Sequence, residues 1–286
     1  LNVLLGNLTR GISLMSENKK IIFLDQELLK EIKRRDQLEH CLKASTYNLQ
    51  DFEVFYQPKI DSKTGDVISA EALVRWYDKA LGNVSPAEFI PIAESTGLIS
   101  KIDSWVLSTV MDDLTDPESP IHNLGCVSVN LSPVQLFEPD FLPNILLALH
   151  SSQLESNRIE FEITETATHF DIEKLKSVLN ALKEFGFKLS MDDFGTGYSS
   201  LSQLKELPID TLKIDQSFVR NMFNSLEDKA IVQTIVQVAQ IMGLQVVAEG
   251  VETEQHAEVL KEMGCQILQG YLYSPPKQLA LFPKSL

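Results

Sequence analysis

The sequence predicts an α/β fold, a closed (β/α)8 barrel with its first strand reversed. Three observations carry this. Short runs of alternating hydrophobicity recur eight times after residue 46, and helix-period stretches separate almost all of them. Strands alternating with helices imply parallel pairing through right-handed crossovers, and eight of them suggest closure. The exception is the first connection. Only residues 58–66 lie there, with Pro58, Asp61 and Gly65. A parallel crossover needs about a dozen residues, so the first two strands read as an antiparallel hairpin.

The elements follow in order. Residues 1–24 are mildly apolar without a complete pattern and read as the end of an element belonging to an upstream domain. Residues 25–46 read as a connector helix, with Asp25 as N-cap and Leu28/Ile32 and Leu38/Leu42 as four-residue pairs. Residues 47–286 form the barrel domain. Its expected strands are Phe52–Gln57, Val67–Trp76, Cys126–Leu131, Arg158–Thr164, Phe187–Asp192, Ile209–Ile214, Leu244–Glu249 and Gln266–Gln269. Ser85-Pro86-Ala87-Glu88 has the form of a capping box with proline at the first helical position, and Gly97 is placed to end that helix. Apolar stripes mark three further helices: Ile102/Val106/Val110/Leu114, Leu175/Leu179/Leu182 and Ile231/Ile235/Val238/Met242.

Composition bounds the function. The chain has 286 residues, 44% of them hydrophobic, enough to bury a core without staples. Its 25 Lys+Arg against 40 Asp+Glu leave a net charge of −15, which argues against DNA or RNA binding through a positive surface field. A phosphate-bearing substrate stays open if bound cations reverse the local sign. Cys41, Cys126 and Cys265 show no zinc or disulfide spacing, the usage of a reducing cytoplasm. No apolar run is long enough to span a membrane, so no membrane contact is expected of this stretch. The first residue is Leu1 rather than Met, as expected of a fragment.

The polar residues are the informative ones. Glu71 sits on the second strand with Arg75 further along the same face. Asn130, Glu162 and Asp192 end the next three strands, Asp193 follows, and then comes the glycine-rich turn Phe194-Gly195-Thr196-Gly197. Lys213, Glu249 and Gln269 lie near the ends of the last three. Taken singly, each has a bland reading. A strand Glu is ordinarily solvated, an Asp-Asp before glycine is ordinarily a turn, and a strand lysine ordinarily snorkels to the surface. Together they fall on the C-terminal rim, where barrel active sites collect. Converging carboxylates repel one another, and Lys213 alone is too little compensation. Oxygen-only ligands suit Mg²⁺ or Mn²⁺, and Asp192 with Asp193 could serve two ions. Two such ions can activate a water and stabilise the leaving oxygen of a phosphodiester.

Glu71-Ala72-Leu73-Val74-Arg75-Trp76 resembles the signature of the EAL-domain family of cyclic di-GMP phosphodiesterases. The other stations follow in order: Tyr56-Gln57-Pro58, Val129-Asn130-Leu131-Ser132, Glu162-Ile163-Thr164-Glu165, Asp192-Asp193-Phe194-Gly195-Thr196-Gly197-Tyr198, Leu212-Lys213-Ile214-Asp215, Ala248-Glu249-Gly250-Val251-Glu252 and Gln269-Gly270-Tyr271. They cover roughly residues 47–277.

The resemblance implies a TIM-like barrel with one antiparallel strand and hydrolysis of cyclic di-GMP to linear 5'-pGpG by two Mg²⁺ or Mn²⁺ ions. By carry-over, Glu71, Asn130, Glu162 and Asp192 would hold the first ion. Asp193 and Glu249 would help hold the second, with Asp192 between the two. Lys213 would contact the attacking water or the phosphate, and Glu249 would assist proton removal. Gln269 would help position the cluster, while Gln57, Arg75 and Asp215 would touch substrate. Glu165 would anchor the Asp193–Ser199 loop, which in this family links the metal site to dimerisation. Glu252 would support the ligands from behind. A homodimer in the cytoplasm is expected, with room for the parent protein to be tethered to the inner membrane by sequence outside this chain. Ser190 stands where small or apolar residues are usual and is expected to affect rate more than fold. Tyr77-Asp78-Lys79-Ala80, after Trp76, lacks the family's common basic-proline pattern. Ile21-Ile22-Phe23-Leu24-Asp25 and the charged helix after it resemble the end of a GGDEF-type domain running into its connector. The alternative from a different class is a catalytically inactive cyclic di-GMP receptor on the same fold.

Overall fold

A computed structural model describes residues 26–169, 171–197 and 201–283. The reading of residues 1–24 as part of an upstream domain, and of Asp25 as N-cap, lies outside these residues.

The chain opens with helix α1 (Gln26–Ser45), which runs into the hairpin β1 (Phe52–Asp61) and β2 (Val67–Asp78). A short β3 (Gly82–Val84) extends the hairpin, and α2 (Pro86–Thr96) and α3 (Ile99–Thr115) lead to β4 (Cys126–Asn130). Then follow α4 (Pro133–Leu136), α5 (Phe141–Ser152), β5 (Ile159–Thr164), α6 (Ile172–Glu184), β6 (Lys188–Phe194), α7 (Leu201–Glu206) and β7 (Thr211–Ile214). The chain continues through α8 (Gln216–Asn221), α9 (Leu226–Met242), β8 (Gln245–Ala248), α10 (Glu254–Met263), β9 (Ile267–Leu268) and β10 (Lys277–Gln278).

Strand order is β10-β1-β9-β8-β7-β6-β5-β4-β2-β3, and β1 also pairs with β2, so eight strands close on themselves. β1 is antiparallel to both its barrel neighbours, as the short 58–66 connection requires. The other barrel pairs are parallel. All eight expected strands are present. The first runs longer than its alternation indicated. Pro58 pairs opposite Ala70 inside β1 rather than ending it, and the strand continues to Asp61.

Outward-facing strand residues make the apolar core with the helices. Val127, Val129, Ile159, Phe161, Leu189, Met191, Leu212 and Val246 are all buried there. Ile102, Val106, Val110 and Leu114 cover them from α3, and Leu175, Leu179 and Leu182 from α6. In α9 the buried stripe is Val232, Ile235, Val236 and Ala239, and Ile231, Val238 and Met242 pack at its edge. The barrel interior is different: its inward positions are polar and buried, including Lys59, Ser128, Glu160, Ser190 and Thr211. Polar groups placed there must find partners within the barrel.

One local expectation changes. Ser85 makes no side-chain cap at α2: the Glu88 N–H bonds the Ser85 carbonyl at 2.9 Å, and the Glu88 carboxylate is held by Arg34 of α1 at 3.1 and 3.2 Å. Pro86 and the left-handed Gly97 do bound the helix as expected. Gly270, at the end of β9, is there for space. A Cβ would stand 2.1 Å from the Val251 carbonyl oxygen and 2.3 Å from its nitrogen, backbone atoms that cannot step aside. Gly270→Ala is therefore expected to cost about 3 kcal/mol or more by overpacking, lowering the melting temperature by roughly 6–12 °C. Thermal unfolding checks this.

Candidate active site

The inward face of the hairpin supplies the first part of the site. Gln57 and Glu71 lie directly opposite one another across β1 and β2. Glu71 Oε1 accepts from Asn130 Nδ2 at 2.9 Å, and Oε2 accepts from Gln269 Nε2 at 2.6 Å. Gln269 Nε2 also donates to Gln57 Oε1 at 3.0 Å. Ends of β2, β4 and β9 are thus tied together through one carboxylate.

Lys213 is the centre of the second part. Its ammonium is fully buried and lies 2.5 Å from Glu162, 2.7 Å from Glu249, 3.0 Å from Asp192 and 3.6 Å from Glu71. Burial opposes its charge, but Asp192, Glu162 and Glu249 hold its pKa well above the ordinary value. Ligand atoms of Glu71, Glu162 and Asp192 all lie within 4.8 Å of one another, as do those of Asp192, Asp193 and Glu249. Asp192 is common to both groups, so the two candidate cation positions share an edge. The donor set is all oxygen, which suits hard divalent cations. The carbonyl Oε1 of Gln269 is buried without a hydrogen-bond donor, an acceptor at hand for the hydration shell of such a cation.

Sequence reasoning missed a second buried cation. Lys59 of β1 is 1% exposed, 2.7 Å from Glu162 and 3.4 Å from Glu160. The expectation that Lys213 stands alone is therefore corrected. Inward-facing Glu160, two residues before Glu162 on β5, places a further carboxylate beneath the cluster. The signal was there: Gln57 and Lys59 share one strand face, as do Glu160 and Glu162. Pro58 hid it by reading as a turn.

Even with two lysines, the carboxylates outnumber the ammoniums, and their proton affinities spread accordingly. Burial would raise Glu162, but Lys213 and Lys59 hold it at about 2. Burial raises Glu71, with Glu162 and Asp192 adding to it. Burial, and then Asp192, lift Glu249 to about 8, and burial with Asp192 and Asp215 lifts Asp193 to about 7. Asp193 and Glu249 thus bind protons more tightly in the folded chain than at their ordinary values of 3.8 and 4.5. Their contribution to stability is complete below those values and is lost as pH rises through about 7–8. A divalent cation in the cluster would replace those protons. Mn²⁺ is accordingly expected to raise the melting temperature more at pH 8 than at pH 5, and to release protons on binding. Thermal shifts across pH, with and without chelator, check this.

The remaining candidates take distinct places. Asp193 adopts a left-handed backbone, φ 53°, at the turn out of β6. Glu165 Oε2 accepts from the Gly195 and Gly197 N–H groups at 3.1 and 3.0 Å, fixing the first half of the Asp193–Ser199 loop; residues 198–200 lie outside the described part. Gly195 has the unusual backbone, φ 100°, whereas Gly197 is needed for room, since a Cβ would meet Glu165 Oε1 at 2.8 Å. Asp215 caps α8 and accepts from Ser217 N at 3.0 Å. Glu252 is half-exposed and pairs at 2.7 Å with Arg220, which lines the pit beside Glu249. Ser190 faces the barrel interior with its hydroxyl buried and without a hydrogen-bond partner.

Two cavities meet here. A pit of about 230 Å³ is lined by Gln57, Glu71, Asp192, Arg220, Glu249 and Tyr271. A larger cleft of about 560 Å³ runs past Leu73, Arg75, Asn130, Leu131, Glu162 and Thr166. Leu73 borders both. Arg75 is half-buried at the cleft wall, its guanidinium 5.4 Å from the Phe55 ring centroid.

Comparison with known proteins agrees with this geometry. Residues 40–276 match the EAL domain family. A relative in Pseudomonas aeruginosa, the cyclic di-GMP phosphodiesterase NbdA, is 38% identical over 264 residues, 92% of this chain and 34% of its own length. The oxygen sensor protein DosP of Escherichia coli is 37% identical over 256 residues, 89% of this chain and 32% of its own. The chain spans about a third of the length of these relatives. Among solved structures, the PaMucR phosphodiesterase in complex with c-di-GMP superposes with a TM-score of 0.80 at 37% identity, covering 85% of this chain and 98% of that one. The EAL enzyme Bd1971 in its cAMP-bound form gives 0.81 at 32% identity, covering 89% and 71%. Fold, rim chemistry and these similarities lead to one conclusion: the chain belongs to the EAL-domain family.

Proposed function

We propose that this chain hydrolyses cyclic di-GMP to linear 5'-pGpG with two bound Mg²⁺ or Mn²⁺ ions. The observation that carries the reading is the pair of carboxylate groups sharing Asp192, set in a pit that opens beside a cleft of dinucleotide size. Glu71, Asn130, Glu162 and Asp192 would hold the first ion, and Asp192, Asp193 and Glu249 the second. Bound there, the pair supplies Lewis-acid activation of a water and charge stabilisation at the phosphate. The residues do the rest. Lys213 holds its proton firmly and places a fixed positive charge beside the reacting phosphate. Glu249, 2.7 Å from Lys213 and at the edge of the second group, would accept the proton of the attacking water. Arg75 and Gln57 steady the substrate from the hairpin side, with Asp215 at the opposite rim. Glu165 keeps the loop after Asp193 in place, and that loop is the route by which a homodimer would act on the site.

An upstream GGDEF-type domain and an inner-membrane tether belong to the same reading of the parent protein. Among the described residues, no helix is long and apolar enough to cross a membrane.

The test is incubation of the chain with cyclic di-GMP in Mg²⁺ and, separately, Mn²⁺. Chromatography for pGpG, a chelator control and a parallel binding assay complete it. Metal-dependent pGpG supports the reading. Tight binding without product, in either metal and at dimer-forming concentration, replaces it with a receptor.

A further inference from the structure

We propose that Lys59 is a positioning residue of the cation site, aiming Glu162 from inside the barrel. This rests on the functional reading above. The two oxygens of Glu162 are divided between two ammoniums. Oε1 accepts from Lys59 Nζ at 2.7 Å, and Oε2 accepts from Lys213 Nζ at 2.5 Å. Lys59 is itself anchored. Its Nζ donates to Ser128 Oγ at 2.6 Å and to Glu160 Oε2 at 3.4 Å. Ser128 Oγ donates to the same Glu160 oxygen at 2.5 Å, and Thr211 Oγ1 donates to Glu160 Oε1 at 3.0 Å. These residues come from β1, β4, β5 and β7, and all four are buried. They form a hydrogen-bonded layer across the barrel, one step beneath the acidic cluster.

This layer borders neither the pit nor the cleft, apart from Glu162 itself. One ammonium and one carboxylate within it cancel, so it adds no net charge to the cluster above. What it adds is direction. A carboxylate held at one oxygen by an anchored ammonium cannot turn freely about its last torsion. Glu162 therefore presents Oε2 to Lys213, whose ammonium also lies 3.6 Å from Glu71 and 3.0 Å from Asp192. An apolar layer at this depth would leave Glu162 held by Lys213 at Oε2 and untethered at Oε1. Contacts that orient metal ligands in this way typically change affinity by about 10–100-fold.

The test uses two variants of the full chain that keep its net charge. Lys59→Met/Glu160→Gln removes the layer's ammonium and carboxylate together. Ser128→Ala removes only the nearest anchor of Lys59. Mn²⁺ binding is measured by calorimetry, alongside thermal unfolding and the Mn²⁺ dependence of cyclic di-GMP turnover. The expected result is Mn²⁺ affinity about tenfold weaker in the double variant and about threefold weaker in Ser128→Ala. The Mn²⁺ midpoint for turnover moves in step, while kcat at saturating Mn²⁺ stays within about threefold. A layer that is merely structural lowers the melting temperature and leaves Mn²⁺ affinity at the wild-type value; that result in either folded variant overturns the proposal. Should the double variant not fold, Ser128→Ala decides alone. A wild-type chain that binds Mn²⁺ but forms no product overturns the reaction and leaves Lys59 to be judged by affinity. A wild-type chain that binds no Mn²⁺ overturns both.

Discussion

Glu71→Ala is expected to reduce kcat/KM for cyclic di-GMP by at least about 10³-fold, more than 4 kcal/mol of transition-state stabilisation. The size follows from how much converges on this one carboxylate. It offers a ligand atom to the first cation group, and it fixes the amides of Asn130 and Gln269. Alanine removes the ligand, takes the acceptor from the Asn130 amide and leaves the Gln269 amide held by Gln57, so the rest of the ligand set loses its frame. Calorimetry should show Mn²⁺ bound at least about tenfold more weakly, with the melting temperature in chelator changed far less than the rate. Turnover within about tenfold of wild type would place the reaction's metal elsewhere.

Lys213→Met is the second large effect, and its sign depends on what else is in the solution. In chelator, the substitution leaves Glu71, Glu162, Asp192 and Glu249 facing one another without the ammonium at their centre. Breaking a buried charge network on one side costs about 3–5 kcal/mol. The loss should grow as pH rises, because without the ammonium these carboxylates must ionise against one another, and be smaller near pH 5, where protonation relieves the repulsion. Saturating Mn²⁺ should then stabilise the variant more than it stabilises wild type, because the incoming cation meets a field that Lys213 no longer answers. Even with stability restored, turnover should remain down by about 10²–10⁴-fold, the range for losing a group that acts on a proton or charge in the transition state. Equal Mn²⁺ shifts in the two proteins would show that the cation and the ammonium do not share this field.

The barrel and most of the rim were legible because both depend on period. Strand alternation placed Asn130, Glu162, Asp192 and Lys213 at corresponding heights, and the loop of residues 58–66 required β1 to be reversed. Capping at α2 was misjudged because Glu88 has a tertiary partner, Arg34, that no local pattern displays. Lys59 was passed over for a related reason. Proline ordinarily ends a strand, yet here Pro58 stays within the ladder, and the residue after it continues into the barrel. The partner of Glu252 was not legible either: the chain turns at Gly250 and delivers the side chain to Arg220, which comes from another element and lines the pit.

The reversed strand has an engineering consequence. In an all-parallel barrel, every catalytic residue at a strand end is followed at once by a loop that insertions can reshape. Here Gln57 and Glu71 are joined by ladder bonds instead, and the turn that connects their strands lies at the opposite mouth, where Ser62 N–H meets the Gln266 carbonyl at 2.9 Å. A reporter peptide or a new pair of termini introduced near exposed Lys63 and Thr64 would therefore be separated from the acidic cluster by the height of the barrel. That turn is the natural place to open or tag the chain without disturbing its chemistry.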